Sequence, residues 1–452
     1  MLHQNDISEK ATHTFIQLIK RLKINKLLRE SGIRKTSGFS TKDLFTFLLL
    51  LVFQGHNLER HLNSERSFDQ PRKDTFYRFL NYPKYAWRRF LNALSYKVIC
   101  EFESLTSVNR IKVFIIDDSV YQRSRSKHVE LLARVFDHAS GRFIKGFTML
   151  TLGWSDGFSF VPVDFSMLSS ANKSNRLNDL NSSIDKRTCG YKRRKESLLP
   201  KPQAASRLLD HALLSGITAD YVLMDSWFTT EPMIREILSK ELQVIGMVKQ
   251  LRQHYTYKGG SYKLKELHKQ LPKSRSKEIL GSVCVETKQG IPVKLVFVQN
   301  RNKRRDWLVI LSTDIHLDDQ EIIRIYGMRW SIEVFFKSTK SLLKLGSEFQ
   351  GRSFDMLISH TTIVFTRYIL LEWERRQNQD EKTFGKLFFM FCDEVKDVDF
   401  KTALQDLMAF LIDLNNTSSK VEKNNVFSQV MQWIHSQPTY IKVLLGDFGC
   451  ES

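Results

Sequence analysis

VFIIDDS at residues 113–119 and YVLMDSW at residues 221–227 are the two stretches on which the fold turns. Each is a short apolar run that ends in carboxylates, Asp117 and Asp118 in the first and Asp225 in the second. Runs of this length and composition read as buried strands, and in open sheets of mixed α/β domains sites assemble at the carboxyl ends of strands. Asp followed by Ser is also ordinary turn and helix-cap chemistry. That alternative is weaker for Asp225, because Thr230 serves equally well as the cap of the helix in SWFTTEPMIREIL.

A third stretch, IYGMRWSIEVFFKSTK, residues 325–340, has helical spacing. At about 100° per residue, Tyr326, Arg329, Glu333 and Lys340 fall within a band roughly 60° wide. The apolar stripe Ile325, Ile332, Phe336 and Leu343 runs beside it and docks one continuous helix on a core. A solvated Arg329–Glu333 pair at i, i+4 accounts for the same spacing, and the two strand-end acids weigh against that plainer reading. Two carboxylates about 4 Å apart repel by about 4 kcal/mol at an effective dielectric near 20. Three gathered acids therefore call for protons or for a divalent cation, Mg²⁺ or Mn²⁺ in an all-oxygen site. Acids that hold metal beside cations that hold phosphate are the equipment of phosphoryl transfer.

With these residues in place the chain resembles the DDE transposases of bacterial insertion sequences, the insertion-sequence-four-like group. Their C-terminal motif is Tyr, two residues, Arg, three, Glu, six, Lys, complete here as Tyr326, Arg329, Glu333 and Lys340. The resemblance covers roughly Ile111 to Leu345. It implies a ribonuclease-H-like catalytic domain in which Asp118, Asp225 and Glu333 are catalytic acids holding two Mg²⁺ (or Mn²⁺) ions. Asp117 is the alternative to Asp118, which is preferred because family members often have an acid, Asp and Thr where this chain has Asp117, Asp118 and Ser119. Tyr326, Arg329 and Lys340 are then DNA contacts, and Trp307, opening the apolar run WLVILS, is the counterpart of a tryptophan that stacks on a flipped base. The implied activity is cut-and-paste transposition: binding of terminal inverted repeats in double-stranded DNA, metal-assisted cleavage, and joining of 3′ ends to target DNA by a homodimer in the DNA complex. The rivals are a stand-alone ribonuclease-H-like metal nuclease and a non-catalytic DNA-binding derivative, and the intact set of acids argues against the second.

Composition points the same way. The 452 residues carry a formal charge of +20, which implies a polyanionic partner. With 42% apolar residues and 32 Phe the chain fills substantial cores and is neither disordered nor fibrous. No run reaches the roughly 18 apolar residues that span a bilayer, and the opening MLHQNDISEK lacks a basic-then-apolar signal. DNA is thus expected ahead of membrane, and the cytoplasm with its nucleoid ahead of export. The five scattered cysteines suggest neither a disulfide framework nor a zinc site. GSEFQGRS from Gly346 imitates a phosphate loop but has Arg352 where a lysine belongs, and it follows a helix.

The organisation expected is α/β with helical flanks. Residues 1–105 form a helical, basic DNA-binding region in which Arg72, Lys73, Arg78, Lys84, Arg88 and Arg89 interleave with aromatics. Residues 106–248 are the first part of the catalytic core, 249–316 a β-rich insertion, and 317–345 the glutamate helix. Residues 346–452 make a helical C-terminal region, a candidate for self-association, that includes ALQDLMAFLIDLNN. The basic run KRTCGYKRRKE from Lys186 reads as a solvated loop, or one that orders on DNA, and places Lys192, Arg193, Arg194 and Lys195 among the DNA contacts.

Overall fold

Strand β1 (Val113–Gln122) is apolar over its first four residues, and these are buried. The computed structural model describes residues 14–395 except 56, 60–70, 108, 139, 182, 250–252, 272–277, 301–302, 304–305, 350 and 378–382, together with 432–433. The expectation for ALQDLMAFLIDLNN lies outside these residues. The architecture is mixed α/β. Helices α1 (Thr14–Arg21), α2 (Ile24–Glu30), α3 (Thr41–Leu50), α4 (Lys73–Leu80) and α5 (Trp87–Ser104) precede β1. Ser40 caps α3 by accepting the Asp43 amide at 3.1 Å, and Pro83 lies in the break between α4 and α5.

After β1 come β2 (Ala133–Asp137), β3 (Arg142–Ser155) and β4 (Phe160–Leu168). β1 pairs antiparallel with β3 along its whole length and parallel with β5 (Tyr221–Met224), which pairs parallel with β6 (Gln243–Val248). Helices α6 (Cys189–Glu196) and α7 (Lys201–Leu214) lead into β5, and α8 (Glu231–Leu238) joins β5 to β6. Residues 249–316 are β-rich: β7 (His254–Tyr257), β8 (Gly260–Lys263), α9 (Leu264–Gln270), β9 (Ile279–Thr287), β10 (Pro292–Gln299) and β11 (Trp307–Ser312). These strands build no sheet of their own. β11 pairs antiparallel with β6, and one sheet runs β2-β3-β1-β5-β6-β11-β10-β9-β7-β8, with β4 on β3.

Every residue of β4 is buried, so both of its faces need cover, and α5, α7 and α12 (Phe354–Gln377) pack against it. Gly153 on β3 makes this approach possible: a Cβ there would lie 2.2 Å from the Phe160 ring. The Phe160 ring in turn meets Phe335, 5.1 Å between centroids, on helix α11 (Trp330–Ser341).

The single helix expected over 325–340 is two. α10 (Asp319–Gly327) ends at Gly327, and α11 begins three residues later. The amides of Met328, Arg329, Ser331 and Ile332 bond the carbonyls three residues back, so the joint is tightened to about three residues per turn. Gly327 costs about 1 kcal/mol against Ala in a helix interior, which makes this the weak point of the run. The basic run from Lys186, expected as a loop, is largely the helix α6, capped by Thr188 accepting the Tyr191 amide at 3.2 Å. Among the aromatics interleaved with basic residues near 72–89, Phe76, Tyr85 and Trp87 are core, and Arg88 is bound to Asp164 and Glu196.

Helix α12 is buried on all sides over most of its length. Its interior threonines satisfy themselves: Thr361, Thr362 and Thr366 donate to the carbonyls four residues back at 2.8, 2.9 and 2.8 Å. Arg367, fully buried, donates to both carboxylate oxygens of Glu348 at 2.6 and 2.8 Å and to the carbonyls of Leu48, Leu49 and Leu343. Arg367→Met should lower the unfolding free energy by about 3–5 kcal/mol, because Glu348 is left buried without its partner. Adding Glu348→Met should return part of that loss in urea unfolding. A double variant weaker than the single would show that the carbonyl bonds, not the ion pair, carry the effect.

Candidate active site

The acids converge because of strand geometry. Successive side chains of a strand alternate between faces, so Asp117 and Asp118 point to opposite sides of the sheet. Asp117 meets α11: Arg329 donates through Nη1 to Asp117 Oδ2 at 3.2 Å and through Nη2 to Glu333 Oε1 at 2.5 Å. Its other oxygen, Oδ1, accepts the Asp118 amide at 2.8 Å. One guanidinium thus bridges a β1 carboxylate and an α11 carboxylate.

Asp225 lies just past the end of β5, and β5 pairs with β1 so that Met224 sits beside Ile116. The register carries Asp225 to the level of Asp117. Its Oδ1 accepts the amides of Trp227 and Phe228 at 2.9 and 3.2 Å, the turn chemistry anticipated for an Asp-Ser pair, and Thr230 makes no side-chain cap on α8.

The crowding shows in the titration of Asp117. Burial pushes its carboxyl up to about 7; Arg329 pulls it down, and the neighbouring charges of Asp225 and Asp118 push it up again. Tyr326 is pushed up to about 12, first by burial; Arg329 lowers it while Asp225 and Asp117 raise it. The Arg329 guanidinium carbon lies 5.7 Å from the Tyr326 ring centroid. Lys340 donates to Ser119 Oγ at 2.5 Å, on the same face of β1 as Asp117.

Asp118 is elsewhere. It forms an ion pair with Lys201, on α7, and the Lys201 Nζ stands 4.5 Å from the centroid of the Trp227 ring. Asp117, the alternative of the pair, is the member in contact with Arg329 and beside Asp225, whereas Asp118, the preferred one, faces Lys201. Lys201 and Trp227 were not singled out from sequence. Trp227 carried a local signal, two residues after Asp225, whereas Lys201 is joined to Asp118 only by the fold.

The remaining expected contacts divide. Lys192 and Lys195 are exposed on α6, while Arg193 and Arg194 are buried. Arg194 binds Glu130 at 2.6 Å and Asp355 at 2.7 Å, and Arg193 lies over Phe165, 5.3 Å from the ring centroid. Of the four residues expected to contact DNA, the two arginines thus have their guanidinium groups inside the protein and the two lysines face outward. Trp307 is half-buried at the start of β11, its ring stacked on His268 at 4.9 Å and tilted against Phe297 at 5.3 Å. One face of that indole is occupied by the protein.

Asp117, Asp225 and Glu333 supply only carboxylate oxygens, the donors that suit Mg²⁺ or Mn²⁺, and the half-buried carboxyl of Asp117 is held up to about 7 first by desolvation and then by neighbouring acids. The donor chemistry fits a divalent cation. Among the described residues no three acids, His or Cys are gathered closely enough to hold an ion as they stand, and Glu333 is bound to Arg329.

Two family models match the chain. Residues 49–259 match the family model of a DDE superfamily endonuclease, and residues 201–370 match that of a transposase DDE domain. Asp117 falls in the first match, Glu333 in the second and Asp225 in both. The transposase for insertion sequence element IS1151 of Clostridium perfringens is 25% identical over 133 residues, 26% of this chain and 27% of that protein. The match spans about a quarter of the length of that relative.

A pH dependence follows from Asp117. The folded protein holds the proton to about pH 7, while the unfolded chain releases it near pH 4. Unfolding is favoured progressively as pH rises between those values, because the folded state binds more protons there. In EDTA, Asp117→Asn should therefore resist urea better than the parent at about pH 8, by an amount that shrinks toward zero near pH 4. Parallel stability curves would mean that Asp117 is ionised throughout.

Proposed function

On its family matches the chain belongs with the insertion-sequence DDE transposases, and from that premise we propose that it cleaves the terminal inverted repeats of its element and joins the freed 3′ ends to target DNA. The observation that carries this reading is Arg329 bridging Asp117 on β1 and Glu333 on α11, with Asp225 brought beside Asp117 by the pairing of β5 with β1. The strand order β4-β3-β1-β5-β6, antiparallel and then parallel, supports a ribonuclease-H-like core. The strands of 249–316 are then an insertion that lengthens the same sheet.

Asp117, Asp225 and Glu333 are the ligands proposed for two Mg²⁺ or Mn²⁺ ions, whose chemistry when bound is activation of the attacking oxygen and stabilisation of the leaving one in an in-line displacement. The chain's own residues do the positioning. Arg329 presents a fixed fork that suits a phosphate as well as it suits two carboxylates. Lys340, anchored at Ser119, places a second cation on the same side, and Tyr326 keeps its proton and so remains a donor. Trp307, stacked on His268 at the start of β11, is the residue proposed to meet a flipped base. Double-stranded DNA is the partner, and a homodimer would pair the two ends. No helix among the described residues is long and apolar enough to cross a membrane.

A stand-alone nuclease of the same fold is the rival, and strand joining separates the two. With DNA carrying the inverted repeats that flank the gene, Asp117→Asn, Asp225→Asn and Glu333→Gln should each abolish cleavage while leaving DNA binding within about twofold, since each removes ligand charge without bulk. Asp118→Asn should still cut. An inactive Asp118→Asn beside an active Asp117→Asn reverses the assignment, and cleavage without any joined product from paired ends favours the nuclease.

A further inference from the structure

Past the acids, β1 runs on to Gln122 and into the loop Arg123–His128, RSRSKH. This loop, residues 345–347 and residues 351–352 wall a cavity of about 970 Å³ that Lys340 also lines. Arg125, Lys127 and Arg352 are exposed on it and have no acidic partner among the described residues. β2 and the first part of β3 extend the strip as a two-stranded ribbon at the edge of the sheet. On its outer face Arg134 stands opposite Lys145, and Phe136 opposite Phe143. The two rings are 41% and 69% exposed with centroids 5.2 Å apart. On the other face Ala133 and Val135 are buried.

One feature of this ribbon works against it in isolation: like charges directly opposite each other destabilise a strand pair. The ring pair steadies the ribbon and holds an exposed aromatic surface in place beside those charges. An anion that also offers sugars and bases relieves the first and fits the second. Resting on the transposase reading, we propose that the strip from Lys340 through Arg125, Lys127 and Arg352 to the Arg134–Lys145 pair carries the backbone of the DNA leaving the acids, with Phe136 and Phe143 packed against it at the far end. Asp117 stands opposite Thr151, and Phe143 lies eight residues further along β3. At about 3.3 Å per residue this is at most roughly 26 Å, the length of about eight nucleotides at about 3.4 Å each.

The test uses duplexes bearing the gene's flanking inverted repeat, either ending at the cleavage position or extended by about 12 base pairs of flanking DNA. Arg125→Gln with Lys127→Gln, and separately Phe136→Ala with Phe143→Ala, change exposed side chains and should leave the melting temperature in place. On the extended duplex the charge variant should flatten the log-log salt dependence of binding by about 1.8, two phosphates at about 0.9 each, and the Phe variant should weaken binding about tenfold. Near-parental binding to the shorter duplex assigns the strip to flanking DNA, and equal loss on both assigns it to the repeat end. Parental affinity and salt slope on both duplexes overturn the proposal, as does a change in self-association with DNA binding intact. If the parent protein binds no repeat-bearing duplex, the transposase reading itself fails.

Discussion

Arg367 is the interaction on which the arrangement of layers depends. Its guanidinium reaches the end of α3 through Leu48 and Leu49, the segment after α11 through Leu343, and Glu348 beyond it. A buried ion pair is weak evidence for net stability, because desolvation of both groups offsets much of their attraction. Its value here is geometric. Five donors in one plane need acceptors at fixed places, so the N-terminal helices, the end of the helix bearing Glu333, and α12 are held in one relation. Further along α12, Glu372 accepts the Phe160 amide at 3.1 Å and Arg376 binds Asp156 at 2.8 Å, which fixes the turn from β3 into β4.

That scaffold lets acids gather at a place where they repel. Asp117 and Asp225 are delivered by paired parallel strands, so neither can withdraw without breaking the sheet register. The opposing charge comes from Arg329, at the tightened joint between α10 and α11, which turns toward Asp117 and Glu333 together. A continuous α-helix would set Tyr326 and Arg329 about 60° apart around its axis, and the tightening to about three residues per turn brings them closer to one line. The raised carboxyl of Asp117 shows that one guanidinium does not fully compensate. A site left short of positive charge is disposed to accept more of it, from a divalent cation or as a proton.

Much of this was legible in the chain because it is local. VFIID and YVLMD each gave a strand with an acid at its end, and Tyr326, Arg329, Glu333 and Lys340 gave the helical partner. The choice between Asp117 and Asp118 was not legible, since a period of two separates their faces but does not say which face receives α11. The continuity of the sheet through Val309 and Val248 was equally hidden, being a pairing between segments about sixty residues apart. Gly327 stands in plain view in the sequence, but a single glycine lowers helix stability without dictating that the helix breaks there. Lys201 could be placed beside Asp118 only by the completed fold.

Charge was the most misleading signal. The run KRRK suggests a solvated loop or one that orders on DNA, yet the fold makes it helical, draws the two arginines inward and leaves the two lysines out. Chemistry explains the division: a planar fork is weakly hydrated and can satisfy several acceptors at once, as Arg194 does with Glu130, Asp355 and the Gly190 carbonyl, whereas a lysine ammonium is strongly hydrated. Arg88, Arg194, Arg367 and Arg376 are likewise bound to carboxylates in the interior or at its margin. A net charge of +20 therefore does not map a DNA footprint. The footprint is to be sought among cations that are exposed and lack acids, and on the described surface Arg125, Lys127 and Arg352 meet that condition beside the cavity that Lys340 also lines.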